Sequence, residues 1–584
     1  MLLGDLPNEL QVLIFLHLSA GDLAQCMRLN KHMASVIKKS LSLRYHILLD
    51  MYGMEDNTAC FMEITDKIEA LHLREEAYLH FKYRFRQEMT VGAHEEMGIY
   101  DLSSGTYFLG GPSYFDQLAS RSIRLLKLPS EAGQQDMWSE INVDKPIIDF
   151  ATSPGENDLV AFITSTASPN LTELYVDVDL YQLSTGQAHP AAQQQHFRIQ
   201  QAPLSLARPT VSVEVVGDVL AAITCYYSGV DESHQHNAHS RLFLFFWKTG
   251  TPINPGGHPI RNVGLCFLTP QLLLHPNEHT RALDVFHIPD APTSTSRLAL
   301  VCELKYPEFR PVLSITHTVC RGEPNPAVNR CKQDATRPFR SRAEDAIIIV
   351  DMALDFGNDM FKTFALIFHR STVLRHASRA QGGTSVPWED WGPIGARWLC
   401  TKDMNIGFIT VSSGQRYVQM PSTTFVDQAI HILDFNPYTV RRVEAEIVER
   451  GADADADEYR RLAIDTRTAT IVLPCDHRPG QPWTRVDPSS DLTAPPSDTS
   501  KSHNDFVNVK DMEAKSYIDL PIQVYGNTRP AEVSTNMESA FADARALQPG
   551  LPFVRTVSKQ DYLYDSVLMD DERVVGLSMG KWTF

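Results

Sequence analysis

One short pattern in this sequence has the spacing of a catalytic serine turn. Gly576-Leu577-Ser578-Met579-Gly580 matches GxSxG. A nucleophile turn of this kind needs a following helix, with Asp and His later in the chain. Only Lys581-Trp582-Thr583-Phe584 follows it. We therefore predict that this motif is not a hydrolase site.

Two polar segments have residue types that bind metals, but neither has a complete ligand pattern. Asp453, Asp455 and Asp457 alternate like a calcium loop, yet the twelfth position holds Ile464 instead of Glu. Three histidines in a polar segment have no cysteine beside them at zinc spacing: His234, His236 and His239. We predict solvated loops here, with no metal and no cofactor.

The cysteines and apolar runs indicate the compartment. Nine cysteines, an odd number, include no CxxC pair, which is typical of reduced thiols in a cytosolic or nuclear protein. The apolar run 12–16 follows Asp5 and Glu9, whereas a signal peptide begins with positive charge. The later run 242–247 is too short to span a bilayer. We expect a cytoplasmic or nuclear protein without a membrane span.

Composition divides the chain into two parts. Residues 1–90 contain Pro7 and three glycines, whereas the other 34 prolines and 28 glycines follow residue 90. The chain carries a net charge of −18, and residues 1–90 hold ten Lys/Arg and twelve Asp/Glu, so −16 falls on the remainder. Such acidity argues against binding to nucleic acid, which needs clustered Lys and Arg.

The turn-poor segment predicts short helices. Pro7 suits the first turn of a helix, and Ser19 with Asp22 forms a capping box for a second. A third apolar stretch runs to Gly53, and another helix begins near Asp66. The first helix has one apolar face, made by Leu10, Leu13, Ile14 and Leu18. This face either docks on the rest of the chain or binds a partner.

The start of the chain resembles the F-box family. The residues that carry the resemblance are Leu6-Pro7-Asn8-Glu9-Leu10, Ile14-Phe15, Leu18 and Asp22-Leu23-Ala24, which follow the pattern LPxEL…IF..L…DL. A less specific likeness to the linker of large fungal F-box families continues through Gly53-Met54-Glu55-Asp56 and the helix that ends at Tyr78. Those families follow the linker with a long β-rich domain.

The resemblance implies a function and a set of contacts. F-box proteins are substrate receptors of cullin–RING ubiquitin ligases, and the F-box binds a Skp-type adaptor and, through it, a cullin. The adaptor-binding residues implied are Leu6, Pro7, Leu10, Ile14, Phe15, Leu18 and Leu23. Asp22 is expected to cap its helix instead.

The rest of the chain repeats two strand patterns. One is an alternating strand that ends in Ser/Thr-Gly, as at 99–105, 180–186 and 244–250. The other is a pair of short apolar runs around a polar turn, and its copies are 147–164, 211–227, 263–274, 347–368, 396–411 and 563–577. Hairpins that recur in this way indicate the four-stranded blades of a β-propeller. Stacked β-sandwiches are the alternative.

We therefore predict an α+β multidomain protein: an N-terminal helical F-box and linker helix, then an all-β propeller of seven or eight blades. The expected domains are the F-box at 1–50, the helical linker at 51–90 and a propeller-like substrate-recognition domain at 91–584. Polar insertions are expected at 230–240, 321–343, 377–387, 451–458 and 478–504. Trp388, Trp391 and Trp398 either form a binding platform or pack a blade.

Three functions follow from this organisation. The preferred one is a non-catalytic substrate receptor that binds the adaptor through the F-box and an unknown target protein through the propeller. A ligase-independent scaffold, in which the helices dock on the propeller, is the second. The third is a propeller hydrolase, which would need ionisable side chains from several blades to converge at the central channel.

Overall fold

The computed structural model describes most of the chain, with gaps. The described residues are 6–89, 99–110, 120–135, 137–206, 208–226, 239–327, 335–357, 361–401, 410–420, 428–453, 470–473, 522–525, 540–543, 547, 550–578 and 581–583. Residues 6–87 are called the head, and the sheets that follow are called the propeller.

The head consists of five helices and one short strand. They are α1 (Asn8–Phe15), α2 (Ala20–Leu29), α3 (Lys31–Lys39), α4 (Leu41–Tyr52), β1 (Met54–Asp56) and α5 (Ile64–Leu79). The Ser19 hydroxyl accepts a hydrogen bond from the Asp22 amide at 3.1 Å, as the capping box requires. Gly53 ends α4 with a left-handed φ of 62°, a conformation that glycine adopts without strain.

The third apolar stretch divides into two helices. Ser40 has an extended backbone and its hydroxyl accepts the Leu43 amide, so it ends α3 and caps α4. Apolar spacing alone did not show this break, because Val36, Ile37 and Leu43 continue one buried surface across it. Pro7 lies just before α1, one position earlier than expected.

Seven sheets, called blades 1 to 7, make up the propeller within the described residues. Blade 1 contains β3 (Tyr100–Ser103), β4 (Thr106–Gly110), β5 (Ser122–Lys127) and β6 (Met137–Asn142). Blade 2 contains β7 (Ile147–Ser153), β8 (Leu159–Ala167), β9 (Glu173–Gln182) and β10 (His196–Pro203). Blade 3 contains β11 (Thr210–Val216), β12 (Val219–Cys225), β13 (Arg241–Phe246), β14 (Thr251–Pro252) and β15 (His258–Pro259).

A segment of blade 5 adds a strand to blade 4. Blade 4 contains β16 (Cys266–Thr269), β17 (Leu272–Asn277), β18 (Ala282–His287) and β19 (Ala299–Lys305). Blade 5 contains β20 (Ser314–Arg321), β22 (Ile347–Asp355), β23 (Phe361–His369) and β25 (Ala396–Cys400). Between β23 and β25 come α6 (Arg370–Ala377), β24 (Thr384–Val386) and α7 (Trp388–Gly395). Strand β24 pairs in parallel with β19, so an excursion from blade 5 extends blade 4.

Blades 6 and 7 complete the ring. Blade 6 contains β26 (Ser412–Ser413), β27 (Arg416–Gln419), β28 (Gln428–Asp434) and β31 (Phe553–Tyr562), with α8 (Pro437–Asp453) after β28 and two outer strands, β30 (Ile522–Tyr525) and β29 (Thr470–Leu473). Blade 7 contains β32 (Ser566–Met569), β33 (Val574–Ser578), β34 (Lys581–Thr583) and, from the segment that follows the head, β2 (Glu88–Met89).

Blade 7 closes the propeller by combining distant parts of the chain. Strand β2 pairs antiparallel with β34, through Glu88 opposite Thr583 and Met89 opposite Trp582. Backbone hydrogen bonds therefore connect the segment before blade 1 to the last strand. Closure of this kind removes a free sheet edge.

Buried clusters between the blades show that the ring is continuous. Separate apolar clusters join blades 1 and 2, blades 2 and 3, blades 3 and 4, and blades 4 and 5. The largest cluster includes Ile349 of blade 5, Val418 of blade 6, Leu568 of blade 7 and Leu109 of blade 1. Stacked sandwiches would not form such a circuit, so the propeller prediction is confirmed, with seven blades in the part of the chain that the structure describes.

Apart from β24, which pairs in parallel, the strands of each blade run antiparallel from the inner to the outer strand, which gives the propeller two different faces. One face carries the turns between first and second strands and between third and fourth strands; we call it the AB face. The opposite face carries the remaining turns and the connections between blades, and we call it the DA face. An insertion between β20 and β22 emerges on the AB face, and it contains β21 (Phe339–Ser341) and a 3-10 turn at Ala343–Asp345.

Candidate functional site

The first candidate site is an apolar surface on α1. Leu10, Leu13 and Ile14 are 46%, 57% and 42% exposed. Exposure of aliphatic side chains to water is unfavourable in free energy. Beside them, α1 and α3 enclose a groove of about 700 Å³ whose apolar lining is Val12, Leu13, Leu16 and Val36. Exposed aliphatic side chains grouped on one helix face are typical of a protein-binding surface.

Polar groups surround this groove. Its rim includes His32 and Lys39 from α3 and Glu9 from α1. Lys31, Lys38 and Lys39 are exposed on α3. An apolar centre with a charged rim matches the general anatomy of protein interfaces. The basic side chains favour a partner with carboxylates opposite α3.

The structure divides the seven residues implied by the resemblance into two groups. Pro7, Leu10 and Ile14 are exposed, and Leu6 and Leu18 are partly buried. By contrast, Phe15 and Leu23 are almost inaccessible, at 1% and 0%, in the core of the head. The second group holds the helices together beneath the surface that the first group forms. Leu13 lies on the exposed face but is absent from the set, although its helical spacing from Leu10 indicated it.

The second half of the head is docked on the AB face of blades 5 to 7. Strand β1 pairs antiparallel with β21, with Met54 opposite Ser341 and Asp56 opposite Phe339. The Asn436 side chain donates to the Met51 carbonyl at 3.0 Å, and Thr556 donates to the Leu79 carbonyl at 3.2 Å. The head and the propeller therefore share backbone and side-chain hydrogen bonds.

A buried ion network lies at the centre of this contact. Arg416 of blade 6 pairs with Glu75 of α5, and it also pairs with Asp434 at 3.0 Å. Burial opposes ionisation of Glu75, but Arg416 and Arg74 hold its pKa below the ordinary value. Arg74 in turn donates to the Asp571 carbonyl at 2.9 Å. The Arg416–Glu75 pair crosses the interface, so this part of the charge compensation depends on docking of the head.

Peripheral ion pairs extend the same interface. Arg342 pairs with Asp50 at 2.9 Å, and Arg340 pairs with Glu55 at 2.5 Å. Asp571, in the first turn of blade 7, accepts hydrogen bonds from the hydroxyls of Ser341 and Ser413, at 2.6 Å each. Its backbone and side chain therefore link blades 5, 6 and 7 to the head at one point.

A second candidate site is a group of carboxylates on the inner strands. Asp101, Asp149 and Glu214 belong to the first strands of blades 1, 2 and 3, and Glu323 follows the first strand of blade 5. Burial raises the pKa of Asp149 to about 7 and that of Glu323 to about 8. Burial also raises the pKa of Asp101 and that of Glu214. Groups of this kind are candidates for function.

Their hydrogen-bond partners are neutral. Asn325 donates to Glu214 at 2.7 Å from the insertion of blade 5, and Thr152 donates to Asp101 at 2.6 Å. Because Asn325 and Glu214 belong to blades 5 and 3, the start of the insertion reaches across the channel past blade 4. Among the described residues, no group of three or more His, Cys, Asp or Glu side chains is placed to hold a metal ion.

The remaining sequence motifs are placed as follows. Trp388, Trp391 and Trp398 are buried, at 2%, 3% and 5%, in the cluster between blades 4 and 5, so they pack a blade and form no exposed platform. Gly576 and Ser578 lie inside β33, and 579–580 lie outside the described residues.

The polar motifs are described only in part. Asp453 is the last residue of α8, while Asp455 and Asp457 lie outside the described residues, as do His234 and His236. The ring centroids of His239 and Tyr226 are 6.4 Å apart. Among the described helices, none is both long and apolar enough to cross a membrane.

Comparison with known proteins identifies a domain in the helical first part of the chain. Residues 3–50 match the family model described as F-box-like, and no curated protein matches the chain significantly. The matched span contains the exposed face of α1 and the groove beside it. The resemblance seen in the sequence is therefore confirmed for this domain, whereas its fungal type is not.

Comparison with solved structures finds distant likenesses only. A luciferin-regenerating enzyme is 9% identical, over 60% of this chain and 88% of that one, with a TM-score of 0.25. BamB from Moraxella catarrhalis is 10% identical, over 60% and 93%, with a TM-score of 0.22. Saccharomyces cerevisiae Sqt1 is 10% identical, over 59% and 94%, with a TM-score of 0.23. The fold assignment therefore depends on the strand pairing described above.

Proposed function

We propose, from the F-box-like domain at residues 3–50, that this protein is the substrate-recognition subunit of a Skp–cullin–F-box ubiquitin ligase. The observation that carries the proposal is the match of this domain together with the exposed apolar face of α1 inside it. The partners are a Skp-type adaptor, a cullin bound through it, and a target protein of unknown identity. The compartment is cytoplasmic or nuclear.

The adaptor contact is formed by the exposed residues of the implied set. Pro7, Leu10 and Ile14 contact the adaptor directly, with Leu6 and Leu18 at the edge and Leu13 added to the face. Covering apolar area removes it from water at about 25 cal/mol per Å². Phe15 and Leu23 act indirectly, because they hold α1 and α2 in the geometry that exposes this face.

The protein contributes no catalytic residue in this account. It holds a target close to a ubiquitin-charged enzyme and so raises the effective concentration of the target's lysines. The described head covers the AB face over blades 5 to 7, so the surfaces left open for a target are the DA face and the AB face of blades 1 to 4. The net charge of −16 outside residues 1–90 favours a neutral or basic target surface.

Co-purification with the adaptor tests the proposal. The wild-type chain should retain a Skp-type adaptor and its cullin, and the double variant Leu10→Asp/Ile14→Asp should lose both. Leu73→Asp is the matched control, since Leu73 is 64% exposed on α5, outside the proposed face. No adaptor with the wild type, or equal recovery with the double variant, would contradict the proposal.

The target is best sought by proximity labelling under proteasome inhibition. Neighbours labelled by both the wild type and the double variant are bound by the propeller itself. Neighbours that accumulate only in the double variant are candidates for degradation. Proteins labelled only by the wild type belong to the ligase.

Two alternatives have support from particular observations. The docking of α4, β1 and α5 supports a ligase-independent scaffold, which predicts that residues 1–60 bind no adaptor. The channel carboxylates are the convergence that a propeller hydrolase would need. That candidate is excluded if the purified protein and its Asp149→Asn variant show the same background rate on chromogenic esters and glycosides.

A further inference from the structure

The segment where α5 begins carries exposed apolar and acidic side chains. Phe61 is 95% exposed and Met62 is 39% exposed, just before the helix. Glu63, Asp66 and Glu69 are also exposed. Asp66 and Glu69 are three positions apart, so they lie on the same side of α5. Exposed apolar side chains grouped beside charged ones are typical of a protein-binding surface. We call these five residues the acidic face.

The charges of the acidic face are not balanced by cations of the same chain. None of its three carboxylates forms an ion pair with a residue that the structure describes. Lys67 is the only Lys or Arg between positions 61 and 69. It is buried and pairs with Asp56 at 2.7 Å. The acidic face therefore combines an exposed aromatic side chain with three uncompensated negative charges.

A segment of opposite charge follows the same helix. Residues 82–86 read Lys-Tyr-Arg-Phe-Arg, and all of them except Phe85 are exposed. The exposed fraction of Tyr83 is 47%. Within the described part of the chain, Lys82 and Arg84 form no ion pair. We call residues 82–86 the basic segment. It also combines an exposed aromatic side chain with uncompensated charge, but the charge is positive.

Contacts with blade 6 hold the basic segment in place. The chain turns after α5 at Phe81, whose φ is 47°. The Arg86 guanidinium then lies 5.8 Å from the centroid of the Tyr562 ring, which stacks on Tyr564 at 5.2 Å. Arg86 also pairs with Glu88 at 3.0 Å. A segment that is ordered before it binds loses less conformational entropy on binding.

The order of the two surfaces along the chain suits a two-fold contact. The acidic face lies at the N-terminal end of α5, and the basic segment follows its C-terminal end. The helix between them has 16 residues and is about 24 Å long. Two copies in antiparallel orientation would bring the acidic face of each against the basic segment of the other. Such a contact uses the same surface on both copies, so it closes as a dimer.

We propose that two copies of this protein form a dimer in which the acidic face of each copy binds the basic segment of the other. Opposite charges that face each other favour this pairing over other arrangements. Each copy carries a net charge of −18, but repulsion between exposed charges is screened beyond about 8 Å at physiological salt. Neither surface includes residues of α1, so the dimer does not depend on the proposed function.

Sedimentation equilibrium of the full-length protein tests the dimer. We expect a monomer–dimer equilibrium for the wild type. The acid-reversed variant, Asp66→Lys/Glu69→Lys, and the base-reversed variant, Lys82→Glu/Arg84→Glu, should each raise the Kd of the dimer roughly tenfold or more, because like charges then meet in both contacts. Glu131→Lys/Glu140→Lys is the matched control. It changes the net charge as the acid-reversed variant does, but its exposed positions lie on blade 1, and it should dimerise as the wild type does.

A mixture of the two reversed variants separates this contact from every other one. The reversed face of one variant is basic and meets the reversed, acidic segment of the other variant. The unchanged face and segment meet in the second contact, so both contacts are again complementary. We therefore expect the mixture to form heterodimers with an affinity near that of the wild-type dimer. This recovery would also show that both variants are folded.

Three results would overturn the proposal. The first is a wild-type protein that stays monomeric at every concentration, or that forms open assemblies larger than a dimer. The second is an acid-reversed variant that dimerises as strongly as the wild type. The third is a mixture of the two variants that stays monomeric. Adaptor binding should be the same for both variants and the wild type, so the outcome is independent of the adaptor test.

Discussion

At the scale of single residues, the partly buried carboxylates of the channel lower the free energy of unfolding by an amount that depends on pH. Burial raises the pKa of Asp149 to about 7, whereas an unfolded Asp titrates near 4. The folded protein therefore binds this proton more tightly than the unfolded chain does. The free energy of unfolding therefore falls as the pH rises from about 4 to about 7. Above pH 7 Asp149 is ionised in both states, so the free energy of unfolding stays lowered by the full cost of its charge.

Asp149→Asn should therefore stabilise the protein at high pH only. An amide oxygen can still accept the Phe150 amide hydrogen bond that Asp149 accepts at 2.9 Å. We expect a gain of at least ~1 kcal/mol in the free energy of unfolding at pH 8, since one pKa unit corresponds to about 1.4 kcal/mol. At pH 4 the gain should vanish. Urea unfolding at both values measures it, and the exposed Asp144→Asn should show no such difference.

The ion network under the head also depends on a single residue, Arg416. Arg416 compensates two carboxylates, those of Glu75 and Asp434, and all three side chains are buried. Removing one partner of a buried pair leaves an uncompensated charge, which costs about 3–5 kcal/mol. Arg416→Met should lower the free energy of unfolding by about this amount.

Arg340→Met provides the control for that measurement. Arg340 pairs with Glu55 across the same interface, but both side chains are partly exposed. Exposed pairs contribute about 0–1 kcal/mol. Denaturant titrations of the two variants should therefore differ by at least ~2 kcal/mol. Equal losses would mean that the network around Glu75 is no more important than its periphery.

At the scale of elements, closure of the ring depends on a strand of two residues. Met89 of β2 is 2% exposed and packs in the cluster that joins blades 5, 6, 7 and 1. Met89→Ala should lower the free energy of unfolding by about 2–5 kcal/mol, through lost transfer energy and the cavity left behind. Met137→Ala, at a position that is 68% exposed, should change it by about 0.5 kcal/mol or less. Thermal unfolding of both variants measures the difference.

The elements also show how far the sequence could be interpreted. The apolar hairpins at 147–164 and 211–227 are the first two strands of blades 2 and 3, as the repeats indicated. The pair at 347–368 is instead the second and third strands of blade 5, and 396–411 contains the fourth strand of that blade. Both departures arise because the insertion 322–346 separates the first strand of blade 5 from the second. Local patterns cannot show which strand a segment pairs with across an insertion.

The sequence was more informative about the α1 face than about the docked half of the head. Leu10 and Ile14 followed a motif and a helical period, so their exposure could be anticipated. Glu75 and Arg416 lie 341 positions apart, and neither belongs to a pattern that would identify its partner. Strand β24 was missed for the same reason, because three residues inside a polar segment pair in parallel with another blade.

At the scale of the whole molecule, the head is divided between two contacts. The α4–α5 half is bonded to the AB face, while α1 and the groove beside it remain open. Docking on its own chain and binding to a partner were alternatives in the sequence. The structure shows docking for the α4–α5 half, and it leaves the apolar face of α1 exposed. In the proposed ligase, this arrangement would hold the adaptor in a fixed orientation to the propeller.

Calorimetric titration of a purified Skp-type adaptor into the full-length protein tests this account most directly. We predict saturable 1:1 binding by the wild type and by Leu73→Asp. A charge placed in the centre of an apolar interface costs at least ~2 kcal/mol, so Ile14→Asp should raise Kd about 30-fold or more. Unchanged affinity in Ile14→Asp, or no binding by the wild type, would contradict the central claim that this face of α1 recruits the ligase.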